Sequence, residues 1–189
     1  MSTPQDRSVR TWLAIAILFT LFWALYLVLF GPRPPAPSLE GSGTGEPASF
    51  DWTLLDLEDR PASFAPFKGK VVFLNIWATW CGPCVQEMPS IAHLADDPRI
   101  KGKDIAFVCV SIDETTDAVR RFLDSRSWSM TFFRSETIPP IFLTNGIPAT
   151  FIIARDGRIA AKQVGSAQWD SPETIAFLEK LAGEAPRSR

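Results

Sequence analysis

The sequence predicts an α/β fold in which a central mixed sheet is flanked by helices, with one apolar helix ahead of it. Residues 69–78 and 104–113 are apolar runs with the length and composition of buried strands, and a helical pattern follows each of them. Residues 149–165 read as two strands around a turn at residues 155–157, which is typical of a hairpin. Parallel strands joined by helices and closed by an antiparallel hairpin give a layered α/β domain.

The first element is an apolar segment at residues 12–30. It runs for nineteen residues without a charge, and as a helix it would measure roughly 28 Å, close to the thickness of a bilayer core. We expect a single-pass transmembrane anchor here. A cleaved signal peptide is the alternative, but its apolar region is normally shorter and no A-x-A cleavage site follows. Arg7 and Arg10 precede the segment, which favours residues 1–11 in the cytoplasm and the rest of the chain in the periplasm or outside the cell.

Residues 31–49 differ in composition from what precedes and follows them. They contain five prolines, four glycines and three serines, and we interpret them as a disordered tether. A single domain is expected at residues 50–185, followed by a short tail at residues 186–189. The net charge of −2 and the lack of a Lys/Arg cluster argue against a nucleic-acid partner.

The elements of this domain follow from apolar patterns and from residues that break them. A strand or hairpin is expected at residues 50–64, a helix at about 82–95, a second helix from Thr115 or Thr116 to about residue 125, and a short edge strand at residues 129–134. The last helix has Ser171 as its N-cap, Pro172 at its first position and Gly183 just past its end.

Cys81 and Cys84 are the most informative residues, because two residues separate them directly after a buried strand. A structural zinc site needs four ligands, and only Cys109 and His93 could be added. A static disulfide across so short a loop would stabilise the fold little. A Cys-x-x-Cys pair that opens a helix in a βα unit is instead typical of a redox site. We therefore predict a redox-active Cys81–Cys84 disulfide, with no metal and no other cofactor.

The start of a helix explains the chemistry expected of this pair. Free backbone N–H groups and the helix dipole stabilise a thiolate on the first cysteine, whose ordinary pKa of about 8.5 leaves only about 3% ionised at pH 7. Cys81 is thus the expected nucleophile, and we expect it to be exposed. Cys84, one turn further in, is the expected resolving thiol.

The motifs around the pair resemble one known family. The stretches GKVVFLNIWATWCGPCVQEMP and GIPATFIIARDGRI are similar to the TlpA/ResA-like branch of membrane-anchored thiol–disulfide oxidoreductases, within the thioredoxin superfamily. The resemblance covers about residues 50–182. It implies a thioredoxin fold that reduces disulfides outside the cytoplasm, with cytochrome c maturation or assembly of the copper site of cytochrome oxidase as common roles.

The resemblance also implies roles for residues that contact substrate. Pro148 matches the cis-proline of the family, and Ile147 before it would pair with substrate peptide. A trans turn proline is the alternative. Gly82 and Pro83 match the dipeptide of reducing members, and Trp80 would shield or present the disulfide. We expect these five residues to bind substrate.

Glu87 is the expected proton partner of Cys84. It lies three residues further along the helix, on the same face, and matches a glutamate near the active site of the family; a solvated helix glutamate is the alternative. Asn75 stands where thioredoxins carry a buried acid, so this proton chemistry must come from elsewhere. Pro89 matches the proline that bends the helix.

Other residues are interpreted as structural. Trp77 is expected to be half-buried support, Cys109 a small core residue, His93 a surface helix residue, and residues 131–133 packing.

The predicted activity is reduction of client disulfides by dithiol–disulfide exchange, with re-reduction by an integral membrane thiol reductant. Three alternatives stay open: a disulfide oxidase or isomerase on the same fold, a thiol peroxidase, and a copper metallochaperone that uses Cys81 and Cys84.

Overall fold

The structure is a computed structural model, and it describes residues 4–30 and 34–184. The chain divides into two compact units between residues 33 and 34. The first contains helix α1 (Pro4–Phe30). The second contains a seven-stranded sheet and three further α-helices.

Helix α1 contains the apolar segment predicted to span a membrane, residues 12–30. Its large apolar side chains between Trp12 and Tyr26 are exposed. Within the residues that the structure describes, no helix combines the length and the apolar character that a membrane crossing requires. The transmembrane character of residues 12–30 is therefore not confirmed.

The prediction of a disordered tether at residues 31–49 is wrong for most of that segment. Residues 31–33 lie outside the described residues, but residues 34–48 run along the domain, and Leu39 is buried in its core. Gly43 explains how the chain can approach so closely, because a Cβ atom there would lie 2.2 Å from the carbonyl oxygen of Ala160. The composition indicated disorder, but backbone hydrogen bonds hold the segment against the domain. They join Gly45 to Ile159, Ala48 to Gly157, and Gln168 to Pro35.

The sheet has the strand order β2-β1-β5-β4-β3-β6-β7. Strands β3, β4 and β5 are parallel, and every other pairing is antiparallel. The sheet is therefore mixed, as predicted. The strands are β1 (Thr53–Leu55), β2 (Pro61–Ser63), β3 (Val71–Trp77), β4 (Ile105–Ser111), β5 (Thr131–Arg134), β6 (Ala149–Ile153) and β7 (Ile159–Val164).

Strand β5 is not the edge strand that the sequence predicted. Leu55 of β1 pairs with Arg134, so the first hairpin extends the sheet beyond β5. A pairing between positions so far apart in the chain leaves no mark in the local pattern of either strand. The remaining strands lie where they were predicted.

The helices after α1 begin and end close to their predicted limits: α2 (Gly82–Asp96), α3 (Thr116–Leu123) and α4 (Pro172–Gly183). The hydroxyl of Ser171 accepts a hydrogen bond from the backbone of Thr174, which confirms the predicted N-cap of α4. Gly183 is the last residue of that helix rather than the first residue past its end, and Glu184 is the C-cap. Pro89 lies inside α2.

The two faces of β3 belong to different cores. Val71, Phe73 and Trp77 join buried side chains of α2, α3 and α4. Val72, Leu74 and Ile76 join a second core built from β6 and from aromatic rings of the N-terminal hairpin and of the turn at Pro140–Phe142. The alternation along β3 places Asn75 on the helical face, beneath α2.

Candidate active site

The two cysteines lie at the junction between β3 and α2. Cys81 is the N-cap residue of α2, and Pro83 falls in the first turn, where the missing N–H costs nothing. Cys81 and Cys84 form a disulfide, with Cα atoms 5.2 Å apart. The strand is fixed at the centre of the sheet, so it holds this junction in place.

Both cysteines are buried, Cys81 less completely than Cys84, so the prediction of an exposed Cys81 is wrong in the disulfide-bonded state. Cys81 is 7% exposed to solvent and Cys84 is fully buried. The backbone N–H of Cys84 donates to Sγ of Cys81 at 3.2 Å. A thiolate on Cys81 would receive that hydrogen bond and the positive end of the helix dipole, and both lower the pKa of a thiol.

The loop before β6 places a cis peptide bond beside the disulfide. The bond between Ile147 and Pro148 is cis, and the carbonyl oxygen of Ile147 lies 3.8 Å from Sγ of Cys81. Pairing of β6 with its neighbours begins at Ala149, so Ile147 lies outside the sheet register. The residue after Ile147 is also held by the backbone, because the N–H of Gly165 donates to the carbonyl of Pro148 at 2.8 Å.

The residues predicted to contact substrate are split by their exposure. Trp80 is 66% exposed, one of the few large apolar side chains of the domain that face solvent. Gly82 and Pro83 are also exposed, Ile147 is half-buried and Pro148 is buried. Trp77 is wholly buried rather than half-buried, because its ring packs against Phe122 and Phe132 across the helical face of the sheet.

Glu87 is a buried carboxylate on α2, only 1% exposed. The side chain of Asn75 donates to its Oε1 at 2.8 Å. The backbone N–H of Ala167 and the indole N–H of Trp169 donate to its Oε2 at 3.0 and 3.1 Å. Burial raises the pKa of Glu87 to about 7, although the three hydrogen bonds oppose the shift. A group with that pKa can take up and release a proton at neutral pH.

Asn75 connects Glu87 to the central strands. Its Nδ2 also donates to Oγ1 of Thr150 on β6 at 2.9 Å. On the other side, Asn75 pairs in register with Cys109 of β4. Cys109 is a free thiol with no exposure, and burial together with the charge of Glu87 raises its pKa far above the ordinary value. It is a core residue, as predicted.

A second buried carboxylate was missed by sequence reasoning. Asp113 follows β4 and accepts hydrogen bonds from the backbone N–H and the hydroxyl of Thr79, at 2.9 and 2.7 Å. The hydroxyl of Ser111 donates to the same carboxylate at 2.5 Å. Asp113 therefore fixes the loop that carries Trp80 and Cys81. An acid at the end of a buried strand, next to the strand that ends in the cysteines, was the available signal.

His93 lies away from this cluster. Its side chain is 74% exposed and meets Asp170 at 3.3 Å, as expected of a surface helix residue. Among the described residues, no three His, Cys, Asp or Glu side chains are grouped so that they could hold a metal ion.

Comparison with known proteins agrees with this geometry. The Redoxin family model matches residues 36–178. The chain belongs to the Redoxin family. Within that family it is similar to thiol-disulfide oxidoreductase ResA of Bacillus cereus, with 30% identity over 69% of this chain and 75% of the relative. A longer alignment with ResA of Geobacillus kaustophilus covers 96% of this chain and 99% of that one at 26% identity.

Solved structures give the same fold. A protein from Bacteroides vulgatus assigned as a thiol-disulfide oxidoreductase aligns with a TM-score of 0.62 and 34% identity, over 72% of this chain and 95% of that one. StoA from Bacillus subtilis aligns with a TM-score of 0.54 at 19% identity, over 71% of this chain and 98% of that one, which supports the fold alone. The fold is thioredoxin-like, and the chain is a thiol-disulfide oxidoreductase.

Proposed function

We propose that this protein reduces disulfide bonds of client proteins outside the cytoplasm. The observation that carries the proposal is the Cys81–Cys84 pair itself, at a helix start that favours a Cys81 thiolate and beside the backbone carbonyl of Ile147. The Gly82–Pro83 dipeptide, by its resemblance to reducing members of the superfamily, supports the direction from protein to client.

The reaction is two successive thiol–disulfide exchanges. The Cys81 thiolate attacks one sulfur of a client disulfide, and the other client sulfur leaves as a thiolate and takes a proton. The Cys84 thiol then loses its proton and attacks the Cys81 sulfur of the mixed disulfide. The bond between Cys81 and the client breaks, and the second client sulfur leaves as a thiolate and takes a proton. Overall, the reduced Cys81 and Cys84 thiols pass two electrons and two protons to the client, and the Cys81–Cys84 disulfide forms.

Three features of the site prepare these steps. The exposed Trp80 and the backbone at Ile147 flank the one sulfur that a client can reach. Cys84 is buried, so it acts only after Cys81 has bound the client. Glu87 lies three residues beyond Cys84 on α2 with a pKa near 7, and we assign to it the proton that Cys84 loses.

A reductant outside the cytoplasm needs a supply of electrons. We propose that an integral membrane thiol reductant restores the Cys81–Cys84 dithiol, and that residues 12–30 hold the domain at the membrane where the two can meet. The anchor rests on the sequence alone, on nineteen residues without a charge. Its test is extraction of membranes at alkaline pH, which should release a chain that lacks residues 1–33 but not the full chain.

The client is the finer part of the proposal. By resemblance to the TlpA/ResA-like branch, we propose apocytochrome c or an apoprotein of copper-site assembly, each of which must keep a cysteine pair reduced. A Cys84→Ser variant cannot resolve the mixed disulfide, so it should accumulate a Cys81-linked complex with the client in native membranes. The matched variant Cys81→Ser should trap nothing.

Two results would overturn parts of this proposal. Equal trapping by both variants would refute the roles assigned to Cys81 and Cys84. A reduction potential well above about −200 mV would refute the reducing direction and favour an oxidase or isomerase. Turnover of hydroperoxide or tight binding of Cu(I) by the dithiol would instead favour the peroxidase or the metallochaperone.

A further inference from the structure

Asn75 has a buried oxygen with no partner. The side chain has no exposure, its Nδ2 donates to both Glu87 and Thr150, and its Oδ1 accepts no hydrogen bond. Buried polar atoms almost always have partners, and leaving one unpaired is costly. An unpaired acceptor beside a titratable carboxylate therefore needs an explanation.

The hydrogen bonds of Glu87 decide where a proton can reside. Its Oε2 faces a backbone N–H of Ala167 and the indole N–H of Trp169. Neither group can accept a hydrogen bond. A proton on Oε2 would oppose two donors, so the proton must reside on Oε1.

Oε1 also faces a donor in the ionised state, the Nδ2 of Asn75. A protonated Oε1 would place an O–H group against an N–H group. The acceptor that it needs is on the same amide, since Oδ1 of Asn75 is free. The nitrogen and oxygen of a primary amide have nearly the same shape, so exchanging them leaves the packing unchanged.

We propose that the amide of Asn75 turns by 180° about its last side-chain torsion when Glu87 takes up a proton. Oδ1 then accepts from the protonated Oε1 of Glu87. The hydroxyl of Thr150, which accepts from Nδ2 in the ionised state, donates to Oδ1 in the protonated state. The two N–H groups of Asn75 then take the place of Oδ1, where the described residues supply no partner, so the turned amide is favoured only while Oε1 carries a proton that needs an acceptor. Asn75 is thus a positioning residue that gives Glu87 a partner in both states, and the inference rests on the proposed role of Glu87 as proton partner of Cys84.

The neighbours of Glu87 leave this exchange undisturbed. Cys109 on β4 faces the carboxylate, but its pKa lies far above the ordinary value, so it stays a neutral thiol. On α2 itself, Cys84 is held in the disulfide. The other described partners of Glu87, namely Asn75, Ala167 and Trp169, carry no charge.

The sequence allows a direct test, because it contains only two asparagines, Asn75 and the exposed Asn145. Labelling the full, disulfide-bonded chain with ¹⁵N-asparagine gives two pairs of side-chain amide signals in an NMR spectrum, one pair for each asparagine, and an Asn145→Ser variant assigns them. Above the midpoint of Glu87, the Asn75 amide protons should show the shifts of hydrogen-bonded groups. Below it, they should move upfield, as expected of buried amide protons that have lost their hydrogen bonds.

A Glu87→Gln variant provides the matched measurement. Its carbonyl must face Ala167 and Trp169, which places its NH₂ toward Asn75. This arrangement should hold the Asn75 amide in the turned orientation, so its signals should match the low-pH wild-type positions at every pH. Asn75 signals that keep their high-pH positions throughout the wild-type titration would overturn the inference, as would high-pH positions in Glu87→Gln. Neither measurement depends on client reduction, so a failed proposed function and a fixed amide give distinguishable results.

Discussion

At the scale of single residues, Glu87 is subject to opposing effects. Burial disfavours its charge, and three donors favour it. The result is a pKa near 7, so Glu87 can take up and release a proton at neutral pH, as its proposed role as proton partner of Cys84 requires. Residue type and helix position suggested this role, but the donors Ala167 and Trp169 lie about eighty positions away in the chain and could not be read from the sequence.

The raised pKa of Glu87 makes stability depend on pH. Between the ordinary value of 4.5 and about 7, the folded protein holds a proton that the unfolded chain has lost. The free energy of unfolding should therefore fall as pH rises through this window, by about 3 kcal/mol in all, and then level off. Urea denaturation of the oxidised protein at several pH values measures this fall. In Glu87→Gln it should be absent, and parallel curves for the two proteins would contradict the assigned pKa.

The indole of Trp169 should tune Glu87. A Trp169→Phe change removes one donor to the carboxylate, so the pKa of Glu87 should rise further, by about one unit for a hydrogen bond to a charged group. The pH midpoint of client reduction should rise with it. Trp52→Phe is the matched control, because that buried indole donates to Ser135 and Thr137 instead and should leave the midpoint unchanged. An unmoved midpoint in Trp169→Phe would separate Glu87 from the rate-determining proton transfer.

At the scale of elements, the segment at residues 34–48 belongs to the domain. Its backbone hydrogen bonds to the turn and start of β7 cover an edge of the sheet that would otherwise be open. The segment can cover this edge only if its backbone approaches β7 closely, and Gly43 allows that approach because it has no Cβ atom.

Gly43→Ala should loosen this segment. The added Cβ would collide with the backbone of β7 at Ala160, and backbone, unlike a flexible side chain, cannot move aside cheaply. Hydrogen exchange at the amides of Gly45 and Ala48 should accelerate about tenfold or more, which corresponds to about 1.4 kcal/mol of local stability. Gly183→Ala is the control, since a Cβ there meets nothing within 4 Å. Unchanged exchange in Gly43→Ala would show that the segment is held by other contacts.

The elements show why some predictions succeeded. Strands β3 and β4, helix α2 and the hairpin β6–β7 carry strong local signals, namely continuous apolar runs, a cysteine pair at a helix start and turn residues, and all were located from the sequence. The position of β5 inside the sheet, the docking of residues 34–48 and the burial of Trp77 depend on partners distant in the chain. Composition and periodicity describe a segment's own tendencies, so they could not show those partners.

At the scale of the whole molecule, the three chain segments that meet beside the disulfide are distinguished by their lack of charged residues. Three segments meet there through the contacts of Cys81 with Ile147 and of Pro148 with Gly165. None of them, residues 78–86, 137–154 or 163–169, contains an Asp, Glu, Lys, Arg or His. The large apolar side chains exposed in the described part of the domain, Trp80, Leu143 and Val164, also lie on these segments. In the proposed reaction a client covers this face, because its sulfur has to reach Sγ of Cys81.

An uncharged docking face makes a prediction about salt. Steering by charge is screened at high ionic strength, whereas apolar contact is not. The rate at which the dithiol reduces a disulfide-bonded peptide with apolar flanking residues should therefore change less than about twofold between 20 mM and 500 mM salt. Val164→Glu introduces a charge at the rim, 40% exposed in the native side chain, and should make the reduction of a basic peptide faster at low salt than at high salt. A strong salt dependence in the unsubstituted protein would mean that charges outside these three segments guide the client. Glu114 would then be the first residue to substitute, because it lies next to Asp113, which holds the Trp80 loop.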